Sequence, residues 1–114
     1  MKNEDIKQSI SSILHRVQKP ARYTGGEYNS IVKKEAAVRA AISYPDLYEI
    51  GMANTGIKIL YSRANSLEGI ACERVFAVEH DFETELRVNR VPLYTLETFT
   101  PLHSLDMLGF NLSH

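Results

Sequence analysis

The stretch VRAAISYPDLYEIGMANTG, Val38 to Gly56, decides how the chain is read. Its first part, Val38 to Tyr44, is a near-continuous apolar run between Lys33-Lys34-Glu35 and Pro45-Asp46. A strand buried on both faces of a parallel sheet has that composition. Pro45 is expected to end it. The turn that follows, Tyr44 to Gly56, is rich in polar and special-geometry residues. Ligands of open α/β sheets sit outside the carboxyl ends of the strands, so this turn is the first candidate site.

The rest of the chain extends the pattern. Ile57, Leu60, Tyr61 and Ala64 recur at i, i+3, i+4 and i+7, a helical face capped by Asn54 or Thr55 and followed by Gly69. Arg74 to Val78 reads as a strand. Asp81 caps a second helix in which Phe82 and Leu86 face inward, and Pro92 closes it. Leu93 to Leu96 reads as a short strand and Met107 to Leu112 as a last one, with Pro101 and Leu102 in the connector. Strand and helix alternation predicts a partial doubly wound, Rossmann- or flavodoxin-like α/β sheet, mostly parallel, with right-handed crossovers placing helices alternately over its two faces.

In front of this sheet lies an amphipathic helix. Ile6, Ile10, Ile13, Leu14 and Val17 share one face, Asn3 is its candidate N-cap, and Pro20 stops it. It docks on the domain or binds a partner. Residues 20–36 form an ordered, irregular loop in which Arg22, Tyr23, Glu27, Tyr28 and Asn29 are interleaved with turn formers. Glu27, Tyr28 and Asn29 face a site or make hydrogen bonds within the loop. The division expected is 1–36 for helix and loop and 37–114 for the α/β part.

Composition bounds the function. The 114 residues suit a single domain or part of one, with ordinary hydrophobic content of 44%. Thirteen basic and fourteen acidic residues give no electrostatic case for nucleic acid or an anionic membrane. No apolar run is long enough to cross a bilayer, and the start MKNEDIKQS is no secretory signal, so a cytoplasmic setting is the default expectation. One cysteine, Cys72, leaves no intrachain disulfide; it reads as a small buried hydrophobe or, less simply, a ligand. His15, His80, His103 and His114 have no zinc-ligand spacing; His80 with Glu79 and Asp81 reads as a solvated helix start or, less simply, a weak metal site. Gly51 and Gly56 do not form a phosphate-loop or dinucleotide fingerprint; they ease packing or let backbone approach a ligand. A receiver-like role for Asp46 lacks the acidic pair it needs.

Asp46-Leu47-Tyr48-Glu49-Ile50-Gly51 has the spacing D-x-Y-x-x-G and resembles the D-x-H-x-x-G loop of cobalamin-binding domains, with Tyr48 in the histidine position. Leu105 to Ser113 is similar to the strand that runs beside the corrin in those domains, Asn111 and Ser113 standing at its tip. With these, the blocks Lys19–Ser30, Tyr44–Met52, Gly56–Tyr61 and Glu73–Ala77 resemble the N-terminal region of cobalamin-binding-type radical S-adenosylmethionine (SAM) proteins. The resemblance implies a cofactor lined by Asp46, Tyr48, Glu49, Gly51, Asn54, Asn111 and Ser113. A phenol is a poor equivalent of imidazole as a cobalt ligand, so Tyr48 is expected to pack below a corrin rather than bind its metal. The resemblance also implies a radical SAM barrel as partner, carrying a [4Fe–4S] cluster on C-x-x-x-C-x-x-C. One cysteine cannot make that motif, so the chain is expected to be the front part of a larger enzyme, without radical chemistry of its own. An edge strand left open by such a division is expected to favour a homodimer. The alternative is a non-catalytic α/β module that docks on a barrel or another protein.

Overall fold

Strand β1, Val38–Leu47, is the centre of a three-stranded parallel sheet in a computed structural model that describes residues 2–111. β2, Ile70–Ala77, and β3, Met107–Phe110, flank it in the order β2-β1-β3. The parallel α/β sheet is the one the apolar run predicts. β1 continues past Pro45, contrary to expectation. Its pairing steps from Tyr44 opposite Phe76 to Leu47 opposite Ala77, so Pro45 and Asp46 bulge out of the ladder. A bulge needs no amide donor there, which is why proline is accommodated.

β2 starts four residues before the predicted Arg74. Its charged residues hid it: Glu73 and Arg74 are 1% and 3% exposed inside a strand whose residues from Ala71 to Phe76 are all buried. Buried charges require partners, and both have them. Glu73 pairs with Arg39 and accepts hydrogen bonds from the Thr95 and Thr98 hydroxyls, each 2.6 Å. Arg74 pairs with Glu97.

Residues Leu93 to Leu96 do not form a strand. The segment keeps one antiparallel bridge, Tyr94 with Pro101. It folds back on itself: the Thr95 N–H donates to Thr100 O, the Phe99 N–H donates to Thr95 O, and Phe99 has φ 59°. β3 ends at Phe110, and Leu112 of the predicted strand lies outside the described residues.

The helices divide between two cores. α2, Tyr48–Ala53, and α3, Thr55–Asn65, pack on the sheet; Ile57 and Tyr61 join Ile42, Cys72, Phe76 and Leu96 in one cluster. Asn54 caps α3 as expected, its side-chain oxygen accepting from the Ile57 N–H. Leu60, expected inside, is half exposed, and Asn65 is buried instead. α1, Asn3–Ile13, buries Ile6, Ile10 and Ile13 against Tyr23 and the Phe82 and Leu86 face of α4, His80–Val88. Each fully buried isoleucine contributes about 2 kcal/mol of apolar burial. The Tyr23 and Phe82 rings stack 3.8 Å apart. The inward residues of α4 therefore serve a core shared with α1, where the alternation rule had a crossover helix on the sheet. α1 also ends at Ile13, followed by a 3-10 turn over Leu14–Arg16, well before Pro20. Its N-cap is Lys2, and Asn3 instead donates to the Thr100 hydroxyl at 3.0 Å. Asp81 lies inside α4, whose N-cap is Glu79; its carboxylate accepts from the Phe82 and Gln18 amides.

Candidate functional site

From β1 the chain leaves through α3 to β2 on one side and later reaches β3 on the other. The carboxyl ends of β1 and β3 thus flank the switch point, where open sheets form their ligand crevice. Asn111 stands just beyond β3. Its N–H donates to Ser43 O at 2.8 Å, and its side-chain amide donates to the Asn54 carboxamide oxygen at 3.2 Å. The same Asn54 oxygen caps α3. A Cβ at Gly56 would lie 2.7 Å from the Asn111 amide nitrogen, so glycine is what lets the α3 start and the β3 tip meet. Two of the residues named from sequence, 57 positions apart, are brought together here. Ser113 lies outside the described residues.

The other candidates point elsewhere. Asp46 sits in the bulge, and its carboxylate accepts from the Leu47 amide at 2.7 Å. Tyr48 opens α2; its ring meets Phe76 edge-on at 6.2 Å and its hydroxyl donates to the Glu27 carboxylate. Burial, together with that hydrogen bond, pushes the Tyr48 phenol up to about 12. Glu49 accepts from Arg22 Nε at 2.7 Å, and this bond holds its carboxyl below the usual range. Arg22 is 7% exposed and reaches Glu79 as well, at 3.3 Å. Its guanidinium is held above its ordinary value, chiefly by the bond to Glu49. A Cβ at Gly51 would lie 2.3 Å from the Phe76 ring, so this glycine serves close packing of α2 on β2. Tyr48 and Glu49 therefore fasten the loop of residues 20–36, through Glu27 and Arg22. Of the loop residues left open by sequence, Glu27 faces inward to Tyr48, and Tyr28 is fully exposed.

Sequence reading missed the buried group around Glu97. Its carboxylate accepts from the Arg74 N–H at 2.8 Å, from Arg74 Nε at 2.7 Å and from the Tyr61 hydroxyl at 2.7 Å. Burial pushes this carboxyl up despite the donors. The Arg74 guanidinium lies over the Tyr61 ring at 4.2 Å and donates to the Ser30 hydroxyl at 3.0 Å. The signal available was Glu73-Arg74 inside an otherwise apolar strand. Among the described residues, no three His, Cys, Asp or Glu side chains gather as a metal would require.

An open, all-parallel three-stranded sheet flanked by helices is a partial doubly wound, Rossmann- or flavodoxin-like α/β fold, with a glycine and two asparagine side chains meeting at its switch point. A family profile described as radical SAM proteins, N-terminal, matches residues 56–114, just over half of the chain, and the chain belongs to that family. The matched region begins at Gly56 and includes Asn111; the turn from Asp46 to Asn54 precedes it. Neither the curated proteins nor the solved structures include a match.

Proposed function

We propose that the chain is the cobalamin-binding-like N-terminal region of a radical SAM protein, and that a corrin lies across the carboxyl ends of β1 and β3. The contact between Asn54 and Asn111 at the switch point carries this reading. The residues fit a corrin seated without a protein ligand to cobalt. They do not fit one held through the D-x-Y-x-x-G turn, because Tyr48 stands in the histidine position with its proton committed to Glu27. Asn54 and Asn111 offer amides along the corrin edge, and Gly56 lets the two side chains meet there. Bound cobalamin supplies methyl-transfer chemistry. The [4Fe–4S] cluster and SAM are assigned to the barrel of the parent protein, with which this region pairs; the open edge of β3 is the surface assigned to a second copy.

Titration of the full chain with hydroxocobalamin, followed by absorption, tests the proposal. Saturable binding is expected, weakened about tenfold in Asn111→Leu, a loss on the scale of one hydrogen bond. Tyr48→Phe is expected to leave the bound spectrum unchanged. Absence of binding by the unsubstituted chain would overturn the reading. The fastening of Tyr48 and Glu49 by Glu27 and Arg22 would then favour a non-catalytic module that docks on a barrel or another protein.

A further inference from the structure

We propose that the space between α3 and the loop at residues 27–31 binds a small organic anion, a monocarboxylate with a short apolar body. The cavity measures about 220 Å³. Ile31, Met52, Ile57 and Tyr61 give it apolar walls, and Lys58 and Arg74 bring charge to it. None of the switch-point residues lines it, so it is separate from the crevice at the strand ends.

The charge balance selects the ligand. Two cations line the cavity and no acid does. Arg74 is 3% exposed and neutralised by Glu97. Lys58 is exposed, and among the described residues no ion pair engages it. An entering carboxylate therefore meets one uncompensated ammonium. The Arg74–Glu97 pair beside it adds no net charge, so Lys58 sets the sign of the site. A cation entering instead would face the Lys58 ammonium unfavourably. The apolar walls favour a hydrocarbon body of a few carbons over a sugar or a nucleotide.

The roof of this cavity is built in advance. The Ile31 N–H donates to the Tyr61 hydroxyl at 2.7 Å, Arg74 donates to Ser30, and Tyr48 donates to Glu27. Three side chains from the sheet and its helices thus pin a polar loop over α3. A pinned loop lowers the ordering cost of binding, because the site exists before the ligand arrives.

Methyl-resolved NMR titration of the full chain with hexanoate, hexanol and hexylammonium tests the site. Hexanoate is expected to shift the Ile31, Met52 and Ile57 methyl signals saturably. Hexanol and hexylammonium are expected to bind about tenfold or more weakly. Lys58→Glu, at an exposed position, is expected to weaken hexanoate about tenfold and leave hexanol unchanged. Ser62→Trp, on the exposed wall of the cavity, is expected to block both. Absence of shifts at these methyls up to about 10 mM hexanoate would overturn the proposal. So would an unaltered hexanoate affinity in Lys58→Glu.

Discussion

The Cys72 thiol is 6% exposed, and burial, aided by the nearby Glu97 and Glu73 carboxylates, pushes it up to about 11. A raised value keeps the thiol protonated through neutral pH, and the thiolate is the reactive form. At pH 8 the folded chain is expected to alkylate about a hundredfold more slowly than the same chain in guanidinium. The rate should climb as pH approaches 11. Mass spectrometry of iodoacetamide adducts measures it, and equal rates in both states would refute a buried structural thiol. Cys72 shows what a residue-scale reading delivers, since a lone cysteine in a strand is usually a small hydrophobe. Asn54 was likewise legible, because a helix cap has a local signature, whereas Asn111 was singled out only through the family resemblance, inside a segment read as strand as far as Leu112. Glu97 was not. It sits in a threonine-rich stretch between the predicted strand Leu93–Leu96 and the connector at Pro101, and tertiary contacts with Arg74 and Tyr61 bury it. The partner of Tyr48 was not legible either: Glu27 lies 21 positions away in an irregular loop with no periodic pattern to reveal it.

At the scale of elements, β2 explains why one predicted strand failed. Its outer edge needs hydrogen-bond partners, and a fourth strand at Leu93 to Leu96 would have supplied them in the regular way. Side chains do most of that work instead. Lys33 Nζ donates to Ile70 O at 2.6 Å, and the Asn65 side chain exchanges two bonds with the Cys72 backbone, at 2.8 and 2.9 Å. Glu97 then accepts from the Arg74 N–H, and backbone contributes through Leu96, which donates to Arg74 O, and Leu67, whose carbonyl accepts from the Ile70 N–H. Period-two patterning detects strands that pair through their backbones; it has no signature for an edge closed by side chains. The central strand and the helix cap were readable because their causes are local, an apolar run and an asparagine. The arrangement of α4 against α1 was not, since a two-residue inward face fits either a sheet or another helix. Asn65→Ala leaves the Cys72 N–H and C=O buried without partners. A loss of about 2 to 4 kcal/mol is expected from the two orphaned groups. Urea denaturation measures it through the midpoint at unchanged slope. A midpoint equal to that of the parent chain would show that the edge does not depend on Asn65.

The whole molecule is asymmetric in how it treats its two sheet edges. The β2 side is sealed by Lys33, Asn65 and residues 96–97, and beyond it lies the second core built from α1, Tyr23 and α4. On the β3 side, no strand pairs with the outer edge among the described residues, and Met107 and Phe110 are 63% and 59% exposed on its opposite faces. An open edge with apolar side chains on both faces is a template for pairing with another chain. Two copies related by a two-fold axis normal to the sheet bring β3 antiparallel to β3 and give one continuous six-stranded sheet. A four-residue strand offers few backbone bonds, so weak association is expected: mass measured by light scattering on a size-exclusion column should rise from 12.9 kDa toward twice that value with concentration. Phe110→Lys places a charge on this edge and is expected to hold the chain monomeric at concentrations where the parent associates. It should not alter thermal stability, because Phe110 belongs to neither core cluster. A monomer at every concentration would show that the β3 edge is not a self-pairing surface. Association that survives Phe110→Lys would move the contact elsewhere, toward the exposed Ile59, Leu60 and Leu67 on and just beyond α3.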